Sequence, residues 1–122
     1  MIENSTLKTI KENIKAIADT DKEICGVVVQ TKKGIEIRQI TNSSDGKSTH
    51  YQMSPQALSE ATQDTDLFRK KAENTLIGIW HTHPHNSSRP SQIDVNTCLM
   101  NRNYIIYSVR DDTITVFRIQ VG

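Results

Sequence analysis

Cysteine is scarce in this chain, with only Cys25 and Cys98 in the whole sequence. Two cysteines are too few for the disulfide framework of a small secreted domain, and they are not paired at zinc-finger spacing. Cys25 precedes an apolar stretch and Cys98 falls in a helical pattern. Both are therefore expected to be reduced and to fill small spaces in the core.

Long apolar runs are also missing. No stretch reaches the ~18 apolar residues that a membrane span needs, and residues 1–19 mix charged and isolated apolar side chains. That mixture does not resemble the apolar core of a signal peptide. A cytoplasmic location is expected, or the host cytoplasm or the virion if the protein is phage-encoded.

The sequence carries no excess of charge of either sign. Fifteen Lys and Arg residues oppose fourteen Asp and Glu, which leaves a formal net charge of +1. Domains that bind nucleic acid through its phosphates are usually much more basic. The two basic clusters, at residues 32–33 and 69–71, are typical of solvated surface. Neither nucleic acid nor a membrane is expected as a partner.

The pattern of apolar residues predicts one domain, 1–122, with a mixed α/β (α+β) fold. Amphipathic spacing predicts helices over 5–20, 54–72 and 91–100. Apolar or alternating runs predict strands over 24–30, 34–40, 50–53, 76–80, 104–109 and 113–121. Residues 41–49, TNSSDGKST, are expected to form a mobile surface loop. The order α-β-β-β-α-β-α-β-β indicates helices packed on a largely antiparallel sheet.

The segment from His81 to Asp94, HTHPHNSSRPSQID, carries the candidate chemistry. His81 and His83 follow an apolar strand, and side chains two residues apart in extended backbone point the same way. Pro84 disfavours helix at the residue before it, so the extended state is expected to continue through both histidines. Ser91 is predicted to begin the next helix. Asp94 would then lie in the first turn, from which its carboxylate can reach the histidines.

Two imidazoles, one carboxylate and an open fourth position describe a hydrolytic zinc site. The charge left on such a zinc lowers the pKa of bound water from about 15.7 toward ~7. Each part alone has an ordinary structural explanation, because H-x-H pairs occur by chance and Ser91-x-x-Asp94 is also a helix capping box. Their joint occurrence favours one zinc ion per chain, bound by His81, His83 and Asp94.

These residues resemble the JAMM motif of the MPN (Mov34/PAD1-like) metalloprotease family, which reads H-[S/T]-H-P and then P-S-x-x-D. The matching residues here are His81-Thr82-His83-Pro84 and Pro90-Ser91-Gln92-Ile93-Asp94. Upstream, Glu23-Ile24-Cys25-Gly26 is similar to the E-x-C-G segment that opens the family's first core strand. The resemblance implies a cytidine-deaminase-like core, in which helices flank a curved, largely antiparallel sheet.

The same resemblance implies a role for each residue of the motif. His81, His83 and Asp94 match the zinc ligands. Glu23 matches the catalytic glutamate, which takes a proton from the activated water and gives one to the leaving amine. Ser91 matches the serine whose hydroxyl helps to hold the oxyanion. The residues alone would not select Glu23, because Asp21-Lys22-Glu23 has the ordinary appearance of exposed charge.

Three other positions near the motif carry expectations of their own. Thr82 replaces the commoner serine, and its side chain is expected to point away from the ligand face. His85 lies in the loop of the motif and is expected to be solvated. His50 is expected to be structural.

The resemblance implies a zinc-dependent peptidase or isopeptidase that acts on a protein or peptide, with the C-terminal tail of a ubiquitin-like protein as one substrate. A phage tail or cell-wall peptide is the alternative, since residues 50–61 are similar to a phage tail-assembly group. The short stretch 94–104 leaves no room for the long insertion of some deubiquitinases, as in compact prokaryotic or viral members.

Two functions of other classes remain open. A non-catalytic MPN interaction module is disfavoured by the intact motif. A DNA-linked protein like the RadC group is disfavoured by the near-neutral charge. The sequence does not fix the oligomeric state.

Overall fold

The computed structural model describes residues 2–46, 49–91 and 102–118. These residues form two helices and five strands, in the order α1 (Asn4–Ile17), β1 (Cys25–Thr31), β2 (Gly34–Ile40), α2 (Pro55–Thr62), β3 (Thr75–His83), β4 (Tyr104–Ser108) and β5 (Thr113–Phe117). The mixed α/β fold predicted from the sequence is confirmed. Neither described helix has the length and apolar character to cross a membrane.

The five strands form one sheet in the order β2-β1-β3-β4-β5. Neighbouring strands are antiparallel except for β3 and β4, which are parallel. The register between β1 and β3 shifts at a β-bulge, because Val28 faces Gly78 while Val29 faces Leu76. Ile77 is therefore an extra residue on β3.

Hydrophobic side chains cover both faces of the sheet. Helix α1 packs Ile10 and Ile14 against one face, together with Val28, Trp80, Ile105 and Tyr107. The other face is covered by apolar residues of α2, which pack on Val27, Val29, Ile40, Ile79 and Tyr104. Alternation along a strand explains why neighbouring valines of β1 belong to opposite faces. The first five residues of β1 are all buried.

Helix α2 is shorter than the predicted 54–72. Ser54 caps its first turn, since the Ser54 hydroxyl accepts a hydrogen bond from the Ala57 N–H. The helix ends at Thr62 because Arg38 of β2 donates to the Ala61 carbonyl and pairs with the Asp64 carboxylate. The apolar spacing beyond Thr62 therefore did not indicate helix.

The predicted strand over 50–53 is absent, and the loop before it is partly anchored. Asn42 is buried, although it belongs to the segment expected to be a mobile surface loop. Its side chain makes four hydrogen bonds to backbone groups, which belong to residues 23, 44, 50 and 52. These hydrogen bonds from the Asn42 side chain hold residues 50–52, whereas the sequence predicted that the backbone of a strand would do so.

The remaining predicted elements differ mainly at their ends. Helix α1 ends at Ile17 instead of residue 20, and the Asp19 carboxylate then accepts hydrogen bonds from two backbone N–H groups in a turn. Antiparallel β4 and β5 are joined by a tight turn, in which Asp112 has φ 53°. Beyond Ser91, the third predicted helix lies outside the described residues, as do Cys98 and the end of the last predicted strand.

Candidate metal centre

The candidate site lies at the end of β3, next to the beginning of β1. His81 and His83 are the last alternate residues of β3, and both are buried. They continue the face of the sheet that includes Ile79. Their Nε2 atoms lie 3.2 Å apart. The extended backbone through the H-x-H pair therefore brings both imidazoles to one point.

Glu23 joins this pair from the segment that precedes β1. It is only 4% exposed, and one ligand atom each from Glu23, His81 and His83 lie within 4.8 Å of one another. The pairing of β1 with β3 explains the convergence, because Cys25 is the partner of His81 in the ladder. A carboxylate that looked exposed in the sequence is thus buried beside two imidazoles.

Thr82 ties these two segments together from the opposite face. Its hydroxyl accepts a hydrogen bond from the Ile24 N–H at 3.0 Å, and its own N–H donates to the Ile24 carbonyl at 3.0 Å. The side chain is fully buried and points away from the imidazoles, as expected. The backbone just after Glu23 is therefore held against the residue between the two histidines.

A backbone carbonyl selects the tautomer of the neutral His83 ring. Nδ1 of His83 lies 2.7 Å from the Ser87 carbonyl oxygen. Because a carbonyl only accepts, Nδ1 carries the proton in this hydrogen bond. The lone pair of the neutral ring is therefore on Nε2, which faces His81. This arrangement is typical of histidines that bind metals through Nε2.

The loop that supplies this carbonyl is fastened to the β4–β5 hairpin. Ser108 donates to the Asn86 carbonyl at 2.6 Å, and Arg110 donates to the His85 carbonyl at 3.1 Å. The Ser88 hydroxyl lies 2.7 Å from the hydroxyl of Thr115. The side chain of His85 is exposed, as predicted. These contacts hold the loop after His83 at several successive residues.

The chemistry of the donors fits a zinc ion. Zn–N distances of ~2.0–2.1 Å in a tetrahedral site place two nitrogen ligands about 3.3 Å apart, and the two Nε2 atoms are separated by 3.2 Å. Imidazole and carboxylate are ligands that suit zinc. A buried carboxylate next to two imidazoles also calls for a compensating positive charge. The described residues therefore fit a zinc ion bound between His81 and His83.

Cys25 is close to this site, yet it is not a plausible ligand. Burial, and to a smaller extent the charge of Glu23, raises the pKa of its thiol to about 12. The thiol contacts the Ile40 carbonyl oxygen at 3.5 Å. Its sulfur does not belong to the group of ligand atoms that Glu23, His81 and His83 form, so Cys25 has the role of a small core residue, as the sequence predicted.

The structure brings together three of the five residues that the motif predicts. Ser91 is exposed at the end of the loop, and Asp94 lies outside the described residues. Two further neighbours were missed by the sequence reasoning. The ring of Tyr51 stacks on His81, with centroids 4.1 Å apart, and Asn42 holds the backbone around it. No local pattern indicates either residue, because both contacts depend on the tertiary fold.

Comparison with known proteins agrees with this arrangement. A family model described as prokaryotic homologs of the JAB domain matches residues 14–120. The chain belongs to this family. The resemblance to JAMM/MPN proteins, which the two sequence motifs indicated, is therefore confirmed.

Two curated relatives of the JAB-family chain carry the name Lys-63-specific deubiquitinase BRCC36. The Xenopus tropicalis protein is 34% identical over 81 residues, and the Xenopus laevis protein is 32% identical over 81 residues. Each match covers 63% of this chain and 31% of the relative. The chain thus spans about a third of the length of these relatives.

A solved structure shows the same fold at low sequence identity. The solution structure of protein DSY2949 from Desulfitobacterium hafniense is similar, with a TM-score of 0.62 and 17% identity. The similarity covers 98% of this chain and 90% of that one. At this identity the likeness shows the fold alone.

Proposed function

We propose that this JAB-family chain is a zinc-dependent peptidase or isopeptidase. The observation that carries the proposal is the convergence of Glu23, His81 and His83, all buried, with ligand atoms within 4.8 Å of one another. Burial of a carboxylate beside two imidazoles is costly without a compensating charge. A domain that served only as an interaction module would not need this arrangement.

In this proposal one zinc ion is held by His81, His83 and Asp94, and it supplies a Lewis acid at that point. Glu23 is the general base and then the general acid: its carboxylate accepts a proton from the attacking water and returns it to the departing amine. The low exposure of Glu23 and His81 limits competing bulk water, which strengthens the electrostatic interactions between these groups. Ser91 is the proposed donor to the oxyanion.

The proposed substrate is an amide or isopeptide bond at the C-terminal tail of a ubiquitin-like protein. The support is the name of the two curated relatives, which describes them as deubiquitinases. Because this chain spans about a third of their length, we propose the class of bond and not the Lys-63 preference.

The proposal is tested by the pair Glu23→Gln and wild type, both loaded with zinc. The first substrates are ubiquitin-like proteins that carry a fluorogenic amide at the C-terminus. The second set contains peptides from peptidoglycan and from phage tail proteins. We expect Glu23→Gln to keep one zinc per chain and to lose turnover by about 10²–10⁴-fold, because the amide cannot take up the proton.

Metal content is measured in parallel by mass spectrometry. His83→Ala is the matched control, and it is expected to lose both zinc and turnover. Zinc-loaded wild type that cleaves neither set of substrates would favour the interaction module. Full turnover in Glu23→Gln would remove Glu23 from the chemistry.

A further inference from the structure

The ring of Tyr51 forms a wall of the candidate metal centre. It lies almost parallel to the imidazole of His81, with centroids 4.1 Å apart and an interplanar angle of 21°. On another side His83 meets the same imidazole edge-on, with centroids 5.0 Å apart and an angle of 63°. His81 is therefore packed between one stacked ring and one perpendicular ring.

We propose that Tyr51 is a positioning residue that holds His81 in its metal-binding orientation. The inference rests on the proposed function, since it requires His81 to bind zinc. Rotation of an imidazole about its second side-chain torsion is only weakly restricted by the residue itself. A ring stacked on its face fixes the plane, so that Nε2 continues to face Nε2 of His83 at 3.2 Å.

The stack also favours the metal-bound form of the ring. A cation on Nε2 withdraws electrons from the imidazole, which makes the ring more positive. The face of a phenol ring is negative, so the attraction between the two rings increases. The energy of one stacked aromatic pair corresponds to a factor of roughly two to twelve in an equilibrium constant. Only the part of this energy that is gained when the metal binds adds to zinc affinity, so about twelvefold is the upper limit for the contribution of Tyr51.

Asn42 holds Tyr51 in place through the backbone on either side of it. Its amide group donates to the His50 carbonyl at 3.0 Å, and its Oδ1 accepts from the Gln52 N–H at 3.0 Å. The same amide group donates to the Glu23 carbonyl at 3.0 Å. One buried side chain therefore places the stacking ring and the proposed general base in a common frame.

The test compares zinc affinity in wild type, Tyr51→Leu and Tyr51→Phe, by competition with a chromophoric chelator. We expect Tyr51→Leu to bind zinc more weakly than wild type, by more than about twofold and by up to about twelvefold. Tyr51→Phe keeps the stacked ring and is expected to bind zinc within about twofold of wild type. The visible spectrum of bound Co²⁺ is the second readout, and it is expected to change in Tyr51→Leu and not in Tyr51→Phe.

Folding is checked on each metal-free variant by urea denaturation. If Tyr51→Leu does not fold, pentafluorophenylalanine at position 51 keeps the shape of the ring while it reverses the charge distribution over the face. We then expect weaker zinc binding than in Tyr51→Phe, and equal binding would overturn the inference that the stack favours the metal-bound form of His81.

The two proposals fail in different ways. Wild type that binds no zinc overturns the proposed function and this inference together. Wild type that binds zinc, with equal affinity and an equal Co²⁺ spectrum in Tyr51→Leu, overturns the role of Tyr51 alone.

A double-mutant cycle tests whether Asn42 acts through Tyr51. The variant that carries both Asn42→Ala and Tyr51→Leu is expected to lose less zinc affinity than the sum of the losses in the two single variants. Additive losses would show that Asn42 does not act through Tyr51.

Discussion

Gly26 is the residue at which the sheet has least space for a side chain. A Cβ there would lie 1.9 Å from the Arg38 carbonyl oxygen and 2.8 Å from Nε1 of Trp80. The Arg38 carbonyl belongs to the backbone of β2, so β1 and β2 would have to move apart to remove the clash. We therefore expect Gly26→Ala to lower the free energy of unfolding by about 1–3 kcal/mol or more.

Urea denaturation of Gly26→Ala and Gly78→Ala tests this expectation. At Gly78 the nearest atom to an added Cβ, the Asn103 carbonyl oxygen, is 2.8 Å away. The milder clash should cost less stability. A Gly26→Ala variant as stable as Gly78→Ala would contradict the assigned close approach.

Single residues also show how far sequence reasoning reached. His81 and His83 were predictable as a pair because their common direction follows from two residues of extended backbone. Glu23 was indicated only by the family resemblance, because its burial depends on pairing between β1 and β3, which are far apart in the chain. Tyr51 and Asn42 were missed for the same reason, since both contact the site through tertiary structure.

At the scale of elements, the loop after β3 depends on a serine of β4. Ser108 is fully buried, donates to the Asn86 carbonyl at 2.6 Å and accepts from the Asp111 N–H at 3.1 Å. We expect Ser108→Ala to lower the free energy of unfolding by about 1–3 kcal/mol, because buried polar groups lose their partner. Zinc affinity should fall by less than ~10-fold. The reason is that Ser108 bonds the Asn86 carbonyl, whereas His83 bonds the carbonyl of the next residue, Ser87.

Ser87→Ala is the matched control for this loop. It removes a hydroxyl that accepts a hydrogen bond from the Arg89 N–H at 3.4 Å. It keeps the backbone carbonyl that accepts the hydrogen bond from Nδ1 of His83. Its stability and zinc affinity are expected to stay close to those of wild type. Denaturation and chelator competition measure both quantities, and equal losses in the two variants would contradict the role of Ser108.

The end of α2 carries a pH-dependent ion pair. The hydrogen bond from Arg38 is the main cause that lowers the pKa of Asp64 from 3.8 to about 2. A carboxylate with a lowered pKa in the folded state stabilises the fold above its ordinary pKa, and that stabilisation is lost as the pH falls from about 4 to about 2. The Asp64 side chain is 44% exposed, so we expect a contribution below about 1 kcal/mol.

The measurement is the stability difference between wild type and Asp64→Asn, followed from pH 7 to pH 2. It is expected to favour wild type at pH 7 and to shrink below about pH 4. Asp45→Asn, at an exposed position of another loop, is the control. A difference that stays constant down to pH 2 would count against the Arg38–Asp64 pair.

The same ion pair explains why the length of α2 could not be predicted. Apolar residues continue at helical spacing beyond Thr62, and this local pattern favours a longer helix. The helix ends because Arg38 of β2 donates to the Ala61 carbonyl and to the Asp64 carboxylate, and no local pattern contains this partner. The limits of β2 follow from local alternation and turn residues, and the sequence predicted them correctly.

At the scale of the whole molecule, the proposed zinc ion would be bound where segments that are distant in the chain meet. Glu23 lies before β1, whereas His81 and His83 end β3. A metal that binds only the folded chain adds about 2.7 kcal/mol at a free concentration of 100 times Kd. We expect zinc to raise the midpoint of thermal unfolding by several degrees, and a chelator to reverse the change.

Thermal unfolding of two histidine variants checks this expectation. His83→Ala should lose the response to zinc. His85→Ala should keep it, because His85 is an exposed residue of the loop. An equal response in the two variants would place the zinc elsewhere on the molecule.

The overall architecture followed from the sequence more closely than the details of the site. The periodicities of five strands and two helices gave the order of these elements, while the absent strand at 50–53 reflects bonds from one asparagine side chain. The parallel pairing of β3 with β4 has no local signature, since it depends on where the chain returns after the loop.

The bulge at Ile77 divides β3 into two stretches whose alignment with β1 is set separately. A slip of one residue in a sheet turns every side chain to the opposite face. Because the bulge can absorb such a slip, insertions or deletions in the chain before Thr75 can accumulate during evolution without rotating His81 and His83 out of the site. Residues 67–73, which are exposed or half-buried, are therefore where we expect relatives of this chain to differ in length.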